Sequence, residues 1–479
     1  MQDAFHKAMS TSAVSDGDLR SMQEARELAA RAREAQERFA AFDAAAVDRI
    51  CEAIAQASDR GAEALAQIAY QETRCGVYEH KVFKNRYCGA VIWPEIRRSR
   101  TIGPIDYDAK RGIVTLAEPM GVIAALVPMT HPTATVVFNA LIALKGRNAV
   151  VFAPHPRSRR SSLAASRLVA AAAEAAGAPP GIITCMEHVS LAGTTELMQQ
   201  GAVRLILATG GAAMVRAVYS SGKPTIAAGP GNVPCYVDRT AQDLRTIAQG
   251  IVASKCFDNG TPCASEQAII VDAPVAERLA AELVRSGCRF LDPQEKAALG
   301  KRLVMPDGSM NPEVVGQGAS RLAEIGGFSV EQGTRVLLAP AREVGKSEPY
   351  SAEILSCVAA FYVVDGWRQG LERCNEILRY GGMGHTVGVY ATTQEALTAF
   401  SLCSLAFRVV VNGPTNFGVL GATTNLPPTL MFGGGTWGGG ITSDNLGPQH
   451  LINRRRVAWT LRDVPAEFLG AGTAEASCG

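Results

Sequence analysis

The apolar residues of this chain keep two different rhythms, which change over near residue 119. Between 20 and 73, in SMQEARELAARAREAQERFAAF and AAAVDRICEAIAQASDRGAEALAQIAYQET, they recur at spacings of three and four with charges between them. That period lays one apolar stripe along a helix, so long amphipathic helices are expected there. From 119 onward short unbroken apolar runs take over. GVIAALVP (121–128), NAVVFAP (148–154) and VRLILATG (203–210) alternate with HPTATVVFNALIALKGR (131–147), RSSLAASRLVAAAAEAAGA (160–178) and GAAMVRAVYSS (211–221). Strands without polar interruption are buried on both faces, and strand–helix alternation builds a parallel sheet. Ligands are then expected at the carboxyl ends of its strands. A second α/β unit follows, with strands expected near 267–272, 334–339, 357–363 and 386–391. The tail, MFGGGTWGGGITSDNLGPQHLINRRRVAWTLRDV, is glycine-dense before a short strand-like end, and residues 1–18 read as a loose extension.

Composition narrows the function classes. A chain of 479 residues needs more than one hydrophobic core. A formal net charge of +2 gives no field for nucleic acid. No apolar run approaches the roughly 18 residues of a membrane span, and the N-terminus lacks a signal-peptide core. Twelve cysteines lie scattered without a CxxC pair, which leads us to expect free thiols in a reducing cytoplasm. No Cys/His spacing matches a zinc site, so no metal is expected.

The chemistry concentrates in FDNGTPCASEQAII (257–270). A structural cysteine usually sits inside an apolar run, as a small hydrophobe. Cys263 instead stands in a turn of small residues just ahead of the run, so it reads as a presented thiol. A nucleophilic thiol must be partly ionised, and nearby backbone N–H groups or a helix N-terminus are expected to depress its pKa. No G-x-G-x-x-G follows the first strand; the turns there are PMTHPT and APHPRS. Gly210 and Gly211 in LATGGAAM open a helix after a strand, a place suited to phosphate.

Taken as a set, EPMGVIAALVPMTHPTATVVFNALIALKGRNAVVFAPHPRS, ILATGGAAMVRAVYSSGKPTIAAGPGNVPCYVD, SKCFDNGTPCASEQAIIV, SEPYSAEILS, GGMGHTVGVY and GGGTWGGGITSDNLGPQHLIN resemble the aldehyde dehydrogenase superfamily. The resemblance is to its CoA-acylating branch, including the aldehyde dehydrogenase half of bifunctional alcohol/aldehyde dehydrogenases and acylating sulfoacetaldehyde dehydrogenases. It spans residues 20 to 460 and implies an α/β aldehyde dehydrogenase fold. That fold has a Rossmann-like cofactor domain without the usual glycine fingerprint, an α/β catalytic domain and a small oligomerisation element. Residues 19–238 then form the nucleotide-binding domain, with a hairpin near 102–118 joining the oligomerisation element. Residues 239–425 form the catalytic domain and 426–479 a C-terminal return and oligomerisation tail. A homodimer or homotetramer is implied.

The resemblance also assigns roles. Cys263 is the nucleophile, forming a thiohemiacetal with an aldehyde and then a thioester. Its oxyanion is held by the Cys263 backbone N–H and by His131, which stands where the family has an asparagine. This departure would add pH dependence near neutrality, or else His131 is only a helix-entry residue. His385 in GHT matches a histidine beside the cysteine, which positions the site or assists thiol exchange. Glu353 in AEILS matches the glutamate that bonds the nicotinamide ribose. Thr130, His155, Arg157, Gly210 and Gly211 complete the expected cofactor contacts. Pro156 with Arg157, Arg159 and Arg160 occupies the position where NAD-selective relatives carry an acid. Guanidinium groups suit a 2′-phosphate, so NADP is favoured over NAD.

Hydrolytic relatives activate water with a glutamate whose match here is Ala228, and no Asp or Glu occurs from Leu205 to Val237. Coenzyme A is therefore the expected acyl acceptor, while Glu266 reads as structural. The expected substrate is a short aldehyde, sulfoacetaldehyde first, with acetaldehyde, propionaldehyde and succinate semialdehyde open. A hydrolytic enzyme giving the free acid and a catalytically silent binding or shell component are the alternatives.

Overall fold

The N-terminal helical region is three helices rather than two, Asp16–Phe39, Ala44–Arg60 and Ala62–Thr73, in a computed structural model that describes residues 16–465 and residue 468. Asp43 starts the second by accepting the Ala46 N–H at 2.8 Å, and Gly61 alone separates it from the third. Of the extension expected over 1–18, residues 1–15 lie outside the described residues, and 16–18 already belong to the first helix. A further helix, Tyr78–Tyr87, had no clear sequence signal, because its inner face carries Lys81, Lys84 and Asn85 among its apolar residues Val82 and Tyr87. Among the described residues no helix is long and apolar enough to cross a membrane.

Strands β1 (Gly103–Asp108) and β2 (Ile113–Pro119) form the hairpin expected near 102–118. The first parallel sheet holds β3 (Val122–Val127), β4 (Ala149–Pro154), β5 (Ile183–Cys185), β6 (Val203–Thr209) and β7 (Thr225–Ala228), in the order β5-β4-β3-β6-β7. Helix Pro132–Lys145 links β3 to β4 and is buried on every side, which explains its lack of a polar face. Pro132 opens it at no cost, since the first N–H of a helix has no intrahelical partner. The helix even buries Lys145, which pairs with Asp48 at 2.5 Å.

The second sheet contains β8 (Val233–Val237), β9 (Glu266–Asp272), β10 (Cys288–Phe290), β11 (Val336–Pro340), β12 (Val358–Val364), β13 (Gly384–Tyr390) and β14 (Ala406–Val411). Its order is β10-β11-β12-β9-β8-β13-β14, again all parallel. Strand β8, read from sequence as part of the nucleotide-binding unit ending at 238, pairs here with β9 and β13. An apolar strand buried on both faces carries no mark of which parallel sheet it joins; pairing decides. Finally β15 (Ile452–Ala458) returns to pair antiparallel with β2, completing a three-stranded sheet with the hairpin.

Candidate active site

Helix Leu244–Cys256 ends in a sharp reversal. Asp258, Asn259 and Gly260 take φ of 48°, 52° and 70°, three successive residues in the left-handed region. Only glycine adopts that conformation without strain, so the surroundings must hold the other two. They do so through Asp258, which is fully buried. Its carboxylate accepts the Val77 N–H at 2.7 Å, the Thr261 hydroxyl at 2.8 Å and Lys81 Nζ at 3.3 Å, and it also bonds Lys84. Asn259 Nδ2 donates to the carbonyls of Gly76 and Gly316, at 3.2 and 3.1 Å. Burial opposes the charge of Asp258, but Lys84 and Lys81 prevail and hold it well below the usual carboxylate range. Burial in turn lowers Lys84 to about 8. The reversal brings Cys263 out of the turn, half-buried, just ahead of β9.

Around its sulfur the second sheet assembles the chemistry. His385, buried near the start of β13, places Nε2 3.2 Å from Cys263 Sγ, and its Nδ1 lies 3.0 Å from the Thr386 hydroxyl. Burial, then the Arg408 charge, lowers His385 to about 3, so the imidazole is neutral at physiological pH. Burial and the Glu353 carboxylate push the Cys263 thiol up to about 12, opposite to the depression expected from sequence. Arg408 offsets this rise only in part. It donates to the carbonyls of His385, Gly433, Ser443 and Asp444 and to Asn445 Oδ1, over 2.7 to 3.0 Å. These bonds pin the glycine-dense segment against β13. The glycines there answer to close packing: a Cβ on Gly384 would lie 2.0 Å from the Gly434 carbonyl.

Glu353 reaches the same place from the loop before β12. Its Oε1 accepts the N–H groups of Gly231 at 2.6 Å and Asn232 at 3.4 Å. Gly231 is where the components meet, since a Cβ on it would stand 1.9 Å from the Cys263 carbonyl and 3.2 Å from His385 Cε1. Ala228, the match to the absent glutamate, ends β7 and is buried. Glu266 is buried too, with its carboxyl bonded to the Thr415 N–H at 2.8 Å, as its structural reading expected.

The remaining candidates lie on the first sheet. Its strand order reverses between β3 and β6, the crevice in which open α/β sheets bind ligands. Thr130 and His131 follow β3, and Gly210 and Gly211 follow β6, so both pairs face that crevice's ends. A Cβ on Gly211 would meet nothing within 4 Å, which leaves room at the turn. These residues fit a nicotinamide dinucleotide. The Thr130 hydroxyl lies 2.9 Å from His131 Nδ1, and the Thr130 carbonyl accepts Lys81 Nζ at 3.0 Å, tying this turn to Asp258 and the cysteine loop. Burial, with Lys84 next, lowers His131 to about 3, so the titration near neutrality expected of it is absent. His155 uses its ring locally, with Nδ1 accepting the Arg157 N–H at 3.1 Å. Of the expected arginines, Arg159 bonds the Glu187 carbonyl at 3.2 Å. The backbone N–H groups of Arg160 and Ser161 cap onto Glu72 at 2.7 Å, and the side chains of Arg157 and Arg160 are both exposed, with Arg157 lining an open cleft. Sequence reasoning missed Lys81, Lys84, Gly231 and Arg408. The available signals were lysines three apart in a helix, the GPGN run after β7, and an arginine at an inward position of AFRVVV.

The profile of the aldehyde dehydrogenase family matches residues 7–300. The aldehyde-alcohol dehydrogenase of Clostridium acetobutylicum is 37% identical over 431 residues, covering 89% of this chain and 50% of that protein, so this chain spans about half the length of that relative. Among solved structures, an acetylating aldehyde dehydrogenase from Geobacillus thermoglucosidasius superposes with a TM-score of 0.91 at 41% identity, covering 94% of this chain and 99% of that one. A propionaldehyde dehydrogenase from Rhodopseudomonas palustris, solved with bound CoA and an acylated cysteine, superposes with a TM-score of 0.81 at 30% identity, covering 91% of this chain and 97% of that one.

Proposed function

Because this chain belongs to the aldehyde dehydrogenase family, and within it to the acylating oxidoreductases, we propose that it converts a short aldehyde and coenzyme A to an acyl-CoA, or runs the reverse. The observation that carries this reading is Cys263 Sγ at 3.2 Å from a neutral His385, with Ala228 where a water-activating glutamate would stand. The neighbour with bound CoA and an acylated cysteine supports it.

Cys263 Sγ adds to the aldehyde carbon. A thiol held near 12 is a poor nucleophile until it sheds its proton. Nε2 of the neutral His385 lies within hydrogen-bond reach to take that proton. With Nδ1 hydrogen on the Thr386 side, Nε2 is the accepting nitrogen. The oxyanion takes the Cys263 backbone N–H and a donor from His131, whose Nε2 has no protein partner among the described residues while Nδ1 bonds Thr130. The turns at 128–131 and 210–211, with Glu353 beside them, would hold a nicotinamide dinucleotide in the β3/β6 crevice, and that group would supply the hydride acceptor. The resulting thioester on Cys263 is opened by the coenzyme A thiol. Before that, His385 releases to solvent the proton it took from Cys263; it then takes the proton of the coenzyme A thiol and returns it to Cys263 as that sulfur departs as the leaving thiolate.

Phe417, Leu430 and Phe432 share the apolar cluster against Cys263, which limits the tail of the aldehyde to a short one. Behind the His131 turn, Lys81 and Lys84 against Asp258 leave one net positive charge, which supports sulfoacetaldehyde as the first substrate to try. Arg157 supports NADP over NAD. The test is initial-rate nicotinamide reduction on a panel of sulfoacetaldehyde, acetaldehyde, propionaldehyde and succinate semialdehyde, with each cofactor, with and without CoA, beside Cys263→Ala. Reduction that needs both CoA and Cys263 supports the acylating reading, whereas full turnover without CoA overturns it.

A further inference from the structure

Seven residues before the nucleophile stands a cysteine with the opposite electrostatics. Cys256 closes helix Leu244–Cys256, half-buried, and Cys357 lies buried just ahead of β12. Both belong with the apolar cluster around Leu337 and Val358. Cys256 Sγ lies 3.5 Å from the Arg335 carbonyl, and the Leu337 N–H donates to the Cys357 carbonyl at 3.0 Å, so the two cysteines converge on the start of β11. There the Cys357 thiol hydrogen-bonds the Cys256 sulfur. That bond, with the Arg335 and Lys255 cations, holds Cys256 below the ordinary thiol range although burial opposes it. The same bond, with burial, raises Cys357 well above that range. Of the pair Cys256 ionises first, and it does so before Cys263, which burial pushes up to about 12.

The pair also touches the reversal that presents the nucleophile. Cys256 is the last helical residue before the left-handed run of Asp258, Asn259 and Gly260. Cys357 Sγ lies 3.7 Å from Asn259 Oδ1, and the Gln317 carbonyl accepts the Cys357 N–H at 3.1 Å. Gly260 packs so closely on the neighbouring residue that a Cβ there would stand 2.6 Å from the Ser356 carbonyl. A covalent bond would bring the two sulfurs to about 2 Å from each other. That draws Cys357 off Asn259, and close packing passes the movement on to the reversal and to Cys263 beyond it.

We propose that Cys256 and Cys357 are an oxidation site, which a peroxide converts to a disulfide that displaces the Cys263 loop. The Cys256 thiolate attacks one peroxide oxygen. The O–O bond breaks and the leaving hydroxide takes a solvent proton, which gives a sulfenic acid and water. The Cys357 sulfur then attacks the Cys256 sulfur. The S–O bond breaks, and hydroxide leaves as water with the Cys357 proton. In sum, two thiols lose two electrons to the peroxide and two waters form. A dithiol reductant reverses the step by exchange. None of this depends on which acceptor takes the acyl group.

Hydrogen peroxide on the full chain, wild type beside Cys256→Ser and Cys357→Ala, tests this without turnover. After peroxide, free thiols are blocked with iodoacetamide and the tryptic digest is sequenced by tandem mass spectrometry. We expect a link between Cys256 and Cys357 in wild type, lost on treatment with dithiothreitol and missing from both variants. We also expect Cys263 to be alkylated about tenfold or more slowly in the linked chain, because the shift takes it from His385 Nε2, now 3.2 Å away. Dithiothreitol should restore the rate, and neither variant should show that reversible slowing. Cys256→Ser, at the half-buried position, carries the comparison should Cys357→Ala fail to fold. Oxidation of Cys256 to the sulfinic acid with Cys357 still alkylated would overturn the proposal. A link made by Cys263 instead, or an unchanged Cys263 rate in the linked chain, would do the same.

Discussion

Asp258→Asn is the substitution that most directly probes what holds the nucleophile in place. The carboxylate is fully buried between two lysines and also accepts a backbone N–H and a hydroxyl. Asparagine keeps the shape and can still accept from Val77, but it leaves two ammonium groups without a counter-charge. Removing one partner of a buried ion pair costs about 3–5 kcal/mol, because the remaining charge stays desolvated. Lys81 retains the Thr130 carbonyl at 3.0 Å, whereas Lys84 loses its closest partner, so most of the penalty falls on Lys84. That makes the penalty pH-dependent with a defined sign. Lys84 already titrates near 8 in the folded protein and would titrate lower without Asp258. The full cost is borne only below the variant's lowered Lys84 pKa. At pH 7 release of the Lys84 proton caps that share at about 1.4 kcal/mol, one pH unit below the wild-type value of about 8, and as pH rises through 8 both proteins hold a neutral Lys84 and the difference shrinks further. Guanidinium chloride unfolding at pH 7 and 9.5, followed by circular dichroism, measures this. The double variant Asp258→Asn/Lys84→Met should recover part of the loss at pH 7. A variant within about 1 kcal/mol of wild type at pH 7, below the range for a broken buried pair, would refute the reasoning. So would an equal deficit at both pH values.

Other consequences can be checked with single substitutions. Gly231→Ala puts a methyl 1.9 Å from the Cys263 carbonyl. The cysteine loop must shift, so kcat should fall by about 100-fold in single-turnover nicotinamide reduction and the unfolding midpoint should drop by the equivalent of about 1–3 kcal/mol. Glu353→Gln removes a charge that raises the Cys263 thiol. The pH profile of iodoacetamide alkylation should move to lower pH, and an unmoved profile would remove Glu353 from the site's electrostatics. Arg408→Met leaves several carbonyls of 433–444 unpaired. It should destabilise by about 3 kcal/mol or more and open that segment to limited proteolysis, which a mass-resolved digest would reveal. His131 is neutral above about pH 3, so His131→Asn should leave the shape of kcat/KM between pH 5 and 9 unchanged. A limb near 6.5 present only in wild type would contradict that.

What the sequence revealed follows from what leaves a local trace. The strands β3, β4 and β6 announced themselves because an unbroken apolar run has few other homes. Cys263 was legible because a cysteine outside such a run is out of place. Helix Tyr78–Tyr87 stayed hidden because its buried face mixes Lys81, Lys84 and Asn85 with Val82 and Tyr87, and the burial of Lys84 is decided by a partner 174 residues away. The same holds for the thiol. The turn chemistry around Cys263 promised stabilisation of a thiolate, but burial and a carboxylate arriving from residue 353 outweigh the Arg408 cation that favours it. Sheet membership of β8 was likewise a matter of pairing.

The closing strand has a consequence for how the chain is made. β15 pairs with β2, with Ile452 opposite Pro119, so the hairpin's partner is synthesised 333 residues later. At about 5–20 residues per second, β2 waits on the order of 17–67 s with one row of backbone groups unpaired. An open strand edge invites pairing with another nascent chain, and charge at the edge discourages it. The hairpin carries Asp106, Asp108, Lys110, Arg111 and Glu118 in and beside its strands, and Glu118 later pairs with Arg455 of β15 at 3.2 Å. Charge on this hairpin thus serves twice: it repels strangers during synthesis and then recognises the strand that arrives last.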